Sequence, residues 1–170
     1  MKSTPRPDCI RHWQELEQPD NEHYTGSDEL MVIGAPLARK LGLTRLGIHH
    51  IRLLPGRRTS YPHAESAEEE FVFVVEGTPD AWINGELYPL KAGDSVGFPA
   101  GTGLCHTFIN NSSEEARLIV VGEANKAENQ IHYPLNPVYE ATREDRWENP
   151  PEQQFGDHNG LPDKLNKNAG

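Results

Sequence analysis

The stretch PHAESAEEEFVFVVEG, residues 62–77, decides how the rest of the chain reads. Its second half, FVFVV at 71–75, is β-branched and aromatic, the composition of a buried strand, and EGTPD at 76–80 turns it. Its first half carries His63 and Glu65, and Glu70 stands directly before the apolar run. In an extended strand, side chains at i and i+2 share a face, so His63 and Glu65 point the same way. A connecting turn over 66–69 lets Glu70 face the same interior.

Downstream, AWI, NGE and LYPL read as a hairpin, because Asn84-Gly85 is the dipeptide that a tight primed turn demands. KAGD, SVGFP, AGTG, HTFIN, NSSEE and ARLIVVGE continue the alternation of turn and strand. Upstream, RLGIHHIRLL at 45–54 alternates with Leu46, Ile48, His50 and Arg52 on one face, and PGRR at 55–58 turns it. LMVIG at 30–34 is a short strand, and APLARKLG at 35–42 is a helical turn closed by Gly42. Short strands at this spacing, without intervening helices, predict an all-β sandwich or barrel over residues 29–135. Residues 1–28 read as an N-terminal arm. Residues 136–170, rich in Pro, Asn and Glu, read as a C-terminal extension with little regular structure, pinned at Trp147 and Phe155.

The formal net charge is −10, and no Lys/Arg stripe or basic tail is present. That excludes a field attracting phosphate backbones or anionic lipid, so neither nucleic acid nor membrane is an expected partner. No window approaches the roughly 18 apolar residues of a membrane span. MKSTPRPDCIRHWQELEQ has no apolar stretch after its basic residues and does not read as a secretory signal. Cys9 and Cys105 make no disulfide framework, so a reduced, cytoplasmic protein is expected.

The chemistry concentrates on His63, Glu65, Glu70 and His106, the last opening a strand after the Gly-rich turn PAGTG. Nitrogen and oxygen donors converging inside a barrel are what a divalent ion requires, and without one two buried carboxylates resist joint ionisation. The plainer alternative stays open on the residues alone: a solvated acidic turn beside two ordinary core histidines. Cys105, next to His106, faces away from it by alternation. Arg57 and Arg58 are either exposed turn residues or contacts for an anion at the barrel mouth.

These residues resemble the cupin superfamily, which is marked by two motifs on neighbouring strand pairs. The first resembles Gly56, then His63-Ala64-Glu65, then Glu70 after four residues, then Gly77 after six; the second resembles Gly93, Pro99-Ala100-Gly101, His106 and Asn110. One extra residue separates Gly56 from His63, two extra separate Gly101 from His106, and Glu65 stands where the family usually has a second histidine. The resemblance implies a cupin jelly-roll barrel and a divalent ion (Zn, Mn or Fe) on His63, Glu65, Glu70 and His106. Carboxylate oxygen in place of imidazole changes ion preference without abolishing binding. With GAPLARKLGLTR before the barrel, the chain is similar to a sugar-phosphate-isomerase-like group of stand-alone cupins. That implies Lewis-acid isomerase or lyase chemistry on a small oxygenated substrate, with Glu65 or Glu70 as base. A non-heme Fe/Mn dioxygenase and a non-catalytic small-molecule binder are the alternatives, since fold does not choose among them. His50, Arg52 and Phe98 are weaker candidates for substrate contacts. A homodimer is expected, because an exposed sheet edge needs covering.

Overall fold

The computed structural model describes residues 5–124 and 126–166. Ten strands form: β1 (Ile33–Pro36), β2 (Leu46–Leu53), β3 (Ala64–Glu65), β4 (Glu70–Glu76), β5 (Asp80–Ile83), β6 (Glu86–Pro89), β7 (Ser95–Phe98), β8 (His106–Ile109), β9 (Ala116–Glu123) and β10 (Ile131–His132). The short helix α1 (Leu37–Lys40) joins β1 to β2, and α2 (Pro137–Glu140) and α3 (Asp163–Asn166) follow β10. One sheet runs β1-β2-β9-β4-β7, a second β6-β5-β8, and β10 pairs with β3. Every strand pair among them is antiparallel. The hairpin at Asn84-Gly85 is as the dipeptide demands: both residues have positive φ, 46° and 88°, between the paired Ile83 and Glu86.

The sheets face each other across one main apolar cluster. Ile51 and Leu53 of β2, Val72 and Val74 of β4 and Leu118 of β9 meet Ala81 of β5 and Phe108 of β8. Each large side chain so buried contributes about 1.5–3 kcal/mol. This is a jelly-roll arrangement that holds the cluster between its sheets, with Phe98 of the cluster reaching the polar residues described below.

Three readings change on contact with the structure. FVFVV is not buried on both faces: Val72 and Val74 are buried, while Phe71, Phe73 and Val75 are 44%, 38% and 44% exposed on the outer side. His50 and Arg52 do share a face with Leu46 and Ile48, but it is the outer face. His50 stacks on Trp13 of the N-terminal arm at 4.2 Å, and Arg52 pairs with Glu115 at 2.6 Å and Glu17 at 3.2 Å. The inner register of β2 is His49, Ile51 and Leu53, set by its pairing with Val120 and Leu118 of β9. Arg58 is not a free turn residue either. It is 3% exposed, donates from Nε and Nη2 to Glu29 at 2.7 Å each, and donates from Nη1 to the Gly160 carbonyl at 2.9 Å. Arg57 holds Asp20 at 2.6 Å.

Both arms are therefore docked over their described residues. The C-terminal segment, irregular apart from α2 and α3, runs along the β5–β6 hairpin: Gly156 N–H donates to Asn84 O at 2.8 Å and His158 N–H to Gly85 O at 3.0 Å. Trp82 Nε1 donates to His158 O at 2.9 Å, Phe155 lies 6.2 Å from the Trp82 ring, and Trp147 packs on the Trp82 cluster. A side chain at Gly85 would strike the Gly156 backbone, so this glycine serves both the turn and the docking. Cys9 and Cys105 are both free thiols. No helix among the described residues is long and apolar enough to cross a membrane.

Candidate metal centre

His63 and His106 face each other across two short segments that the backbone clamps together. His63 N–H donates to His106 O at 3.1 Å, and His106 N–H donates back to His63 O at 2.9 Å. This exchange of both hydrogen bonds fixes the two Cα atoms in register, and the ring centroids lie 5.0 Å apart. Each ring is oriented the same way. His63 Nδ1 lies 2.8 Å from the Tyr61 carbonyl and His106 Nδ1 lies 3.1 Å from the Leu104 carbonyl. A carbonyl only accepts, so both Nδ1 atoms carry the proton, and in the neutral rings both Nε2 atoms carry lone pairs. That is the tautomer a metal-ligating histidine needs, imposed by its second hydrogen bond.

Glu70, the first residue of β4, completes the approach: its Oε1 lies 3.2 Å from His106 Nε2. With Nδ1 already donating, a neutral His106 offers Glu70 a lone pair, and two acceptors at that distance repel. A proton or a cation is needed between them. Burial alone raises the Glu70 carboxyl, but the His106 hydrogen bond and the charges of His106, His63 and His49 outweigh it and hold its pKa below the usual value. Burial, then the His106 charge, lowers His63 to about 4, so this ring stays neutral at physiological pH. Glu65 stands beside Glu70 and His106. Burial, then the Glu70 and Glu68 charges, raises its carboxyl to about 7.

Glu65, Glu70 and His106 line a space of about 10 Å³ together with Phe98 and Leu104. That is on the scale of one water-sized occupant. Phe98 stacks flat on His106, centroids 3.5 Å apart and planes within 7°, and so closes one side of the ring. The donor set thus suits a divalent ion in chemistry and tautomer, although among the described residues no three or more His, Cys, Asp and Glu side chains stand in closed ligating geometry.

The neighbouring residues divide cleanly. Asn110, fully buried, donates from Nδ2 to Leu53 O and Glu114 O at 2.8 Å each and accepts from Ser112, which makes it a loop organiser. Cys105 packs with Trp82, Ala64 and Ile109, away from His106. His50 and Arg52, read from sequence as weaker substrate contacts, lie under the N-terminal arm. Sequence reasoning missed His49 in their place. It lines a cavity of about 600 Å³ together with Arg39, Glu22, Asn21 and Thr59. His49 and Glu22 both expose surface to this space, yet burial is the leading cause that shifts their pKa values, down for His49 and up for Glu22. Groups that are accessible and still desolvated are cavity walls. The available signal was the pairing of His49 with Ile51 and Leu53, the residues of β2 that lead into the core.

Comparison with known proteins agrees with this architecture. The cupin domain family matches residues 49–122. Polyketide synthase CurC of Streptomyces cyaneus is 40% identical over 65 residues, which span 38% of this chain and 40% of that protein. A structure from Acidithiobacillus ferrooxidans, provisionally named a sugar phosphate isomerase, superposes with a TM-score of 0.67 at 25% identity, over 75% of this chain and 81% of that one. A cupin-superfamily sugar phosphate isomerase from Silicibacter pomeroyi superposes with a TM-score of 0.58 at 30% identity, over 60% of this chain and 64% of that one.

Proposed function

We propose, from the cupin domain that residues 49–122 carry, that this chain is a divalent-metal enzyme that enolises a small oxygen-rich substrate, as an isomerase of a sugar or sugar phosphate does. The observation that carries the reading is the pair of imidazoles locked in the Nδ1–H tautomer beside Glu70. His63, Glu70 and His106 would hold the ion, with Zn, Mn and Fe all compatible with nitrogen and carboxylate donors. When bound, the ion acts as a Lewis acid for negative charge developing on a substrate oxygen.

The remaining steps belong to the protein. Glu65, raised to about 7, is poised to take a proton from the carbon beside a substrate carbonyl. The C–H electron pair forms the carbon–carbon double bond and the carbonyl pair moves to oxygen. The hydroxyl proton on the first carbon passes to the new oxyanion and a carbonyl forms there, while the double-bond pair takes the proton back from Glu65 at the former carbonyl carbon, a 1,2 shift with no net oxidation. Phe98, flat against His106, keeps water from that side of the site. The identity to CurC favours a second reading, in which the acidic C–H lies between ketones of a polyketide chain; the proton transfer is the same. Two copies pairing through the exposed row Phe71, Phe73 and Val75 is the oligomeric state this reading carries.

The test is solvent deuterium exchange into aldose and ketose phosphates, followed by NMR, for the wild type and Glu65→Gln. The wild type should exchange the carbon-bound proton, and Glu65→Gln should keep its metal but lose exchange by about 10²–10⁴-fold. Absence of exchange in the metal-loaded wild type, or oxygen consumption in its place, refutes enolisation. Loss of the metal from Glu65→Gln makes Glu65 a ligand and refutes its role as base.

A further inference from the structure

We propose that the large cavity beside the centre has an anion-binding end, formed by Arg39 and His49, that takes the phosphate group of a small phosphorylated sugar. This rests on the enolisation reading for what happens at the other end of the substrate. The cavity, about 600 Å³, falls within the range that accommodates small molecules. Three separate elements build it: the N-terminal arm supplies Gln18, Asn21 and Glu22, α1 supplies Arg39, and β2 supplies His49.

Arg39 supplies the cation of this wall. The chain has 26 acidic residues against 16 Lys and Arg, so a carboxylate partner is readily found, and Arg52, Arg57, Arg58 and Arg117 each hold one. Among the described residues the Arg39 guanidinium makes no hydrogen bond or ion pair. It is an exposed residue on the cavity wall, its donors open to water or a ligand, and a guanidinium matches the oxygens of a phosphate with two parallel hydrogen bonds. Thr59, on the wall of the same cavity, bonds the hydroxyl of Thr107 at 3.2 Å, and Thr107 is next in sequence to His106, which sets the cavity against the centre. Burial chiefly lowers the His49 pKa, with Arg39 lowering it further and Glu70 opposing. The amides of Gln18 and Asn21 suit hydroxyl groups. The Glu22 carboxyl disfavours a second anionic end. A ligand with one anionic terminus and a hydroxylated body satisfies all of these walls.

The experiment measures binding of D-ribose 5-phosphate, D-ribose, gluconate and inorganic phosphate by calorimetry to the wild type, Arg39→Gln and Arg39→Lys. Circular dichroism and metal content serve as controls on folding and on the centre. The wild type should prefer ribose 5-phosphate to ribose, and Arg39→Gln should weaken the phosphate ester by about 10- to 100-fold while leaving ribose unchanged. Arg39→Lys should recover part of the loss. Equal binding of ribose and its phosphate, no detectable binding of the phosphate, or an unchanged Arg39→Gln overturns the proposal. Gluconate binding as tightly as ribose 5-phosphate overturns the assignment to phosphate. If deuterium exchange is absent but Arg39-dependent phosphate binding is present, the enolisation reading fails and the anion site stands; the converse result separates them the other way.

Discussion

Glu29→Ala should be among the costliest single changes outside the core, because it strands a buried cation. Arg58 is 3% exposed, and its side chain joins three parts of the molecule: the barrel turn on which it sits, Glu29 before β1, and the Gly160 carbonyl of the C-terminal segment. Its guanidinium also lies 4.9 Å over the Tyr61 ring. Removing one partner of a buried ion pair costs about 3–5 kcal/mol, because the remaining charge is left uncompensated. Glu29 keeps 17% of its side chain exposed, so water can reach the vacated position and the lower figure, about 3 kcal/mol, applies. For a chain of this size that is a fall of roughly 6–12 °C in Tm. Asp20→Ala is the matched control: it breaks the Arg57–Asp20 pair, whose carboxylate is 39% exposed, and should cost about 1 kcal/mol or less. Thermal and urea unfolding followed by far-ultraviolet circular dichroism report both. A Glu29→Ala protein melting within about 2 °C of wild type, or an equal loss in Asp20→Ala, refutes the claim that burial sets the difference.

Two further outcomes follow from the same geometry. The Arg52 hydrogen bond, chiefly, holds the Glu115 carboxyl below its ordinary 4.5, against burial and with help from Arg117. Its stabilisation is therefore complete above the unfolded value of 4.5 and is lost as pH falls through the lower native value. Arg52→Gln should raise the midpoint of acid unfolding, and an unchanged acid limb contradicts this. Phe73→Glu, placed in the exposed row of β4, should leave the monomer folded and dissociate a pair of chains, read by sedimentation velocity; an unaltered sedimentation coefficient argues that the row is not the contact.

The parts of the fold legible in the sequence are those that local chemistry dictates. Asn84-Gly85 announces its turn because few other residues adopt positive φ in succession. The motif spacing placed Glu70 and His106 on facing elements, where they now stand 3.2 Å apart. What could not be read is the choice between two similar faces, which differ chiefly in Arg52 on one and Gly47 on the other. In LGIHHIRL either register of β2 offers two aliphatic residues and one histidine, and only pairing with β9 turns His49 inward and His50 under Trp13. The partners of Arg57 and Arg58 were equally hidden, since Asp20, Glu29 and Gly160 lie far along the chain in segments with no periodicity. The 600 Å³ cavity was hidden for the same reason: part of its wall is the N-terminal arm, which has no strand or helix pattern of its own.

The most direct measurement is the metal content of purified protein, wild type beside His63→Ala and His106→Ala, by elemental analysis after growth with Mn, Fe and Zn supplied. The account predicts about one ion per chain in the wild type and almost none in either variant, with circular dichroism showing all three folded. A wild type that holds no ion and gains no thermal stability from added metal contradicts it, as do histidine variants that retain a full complement.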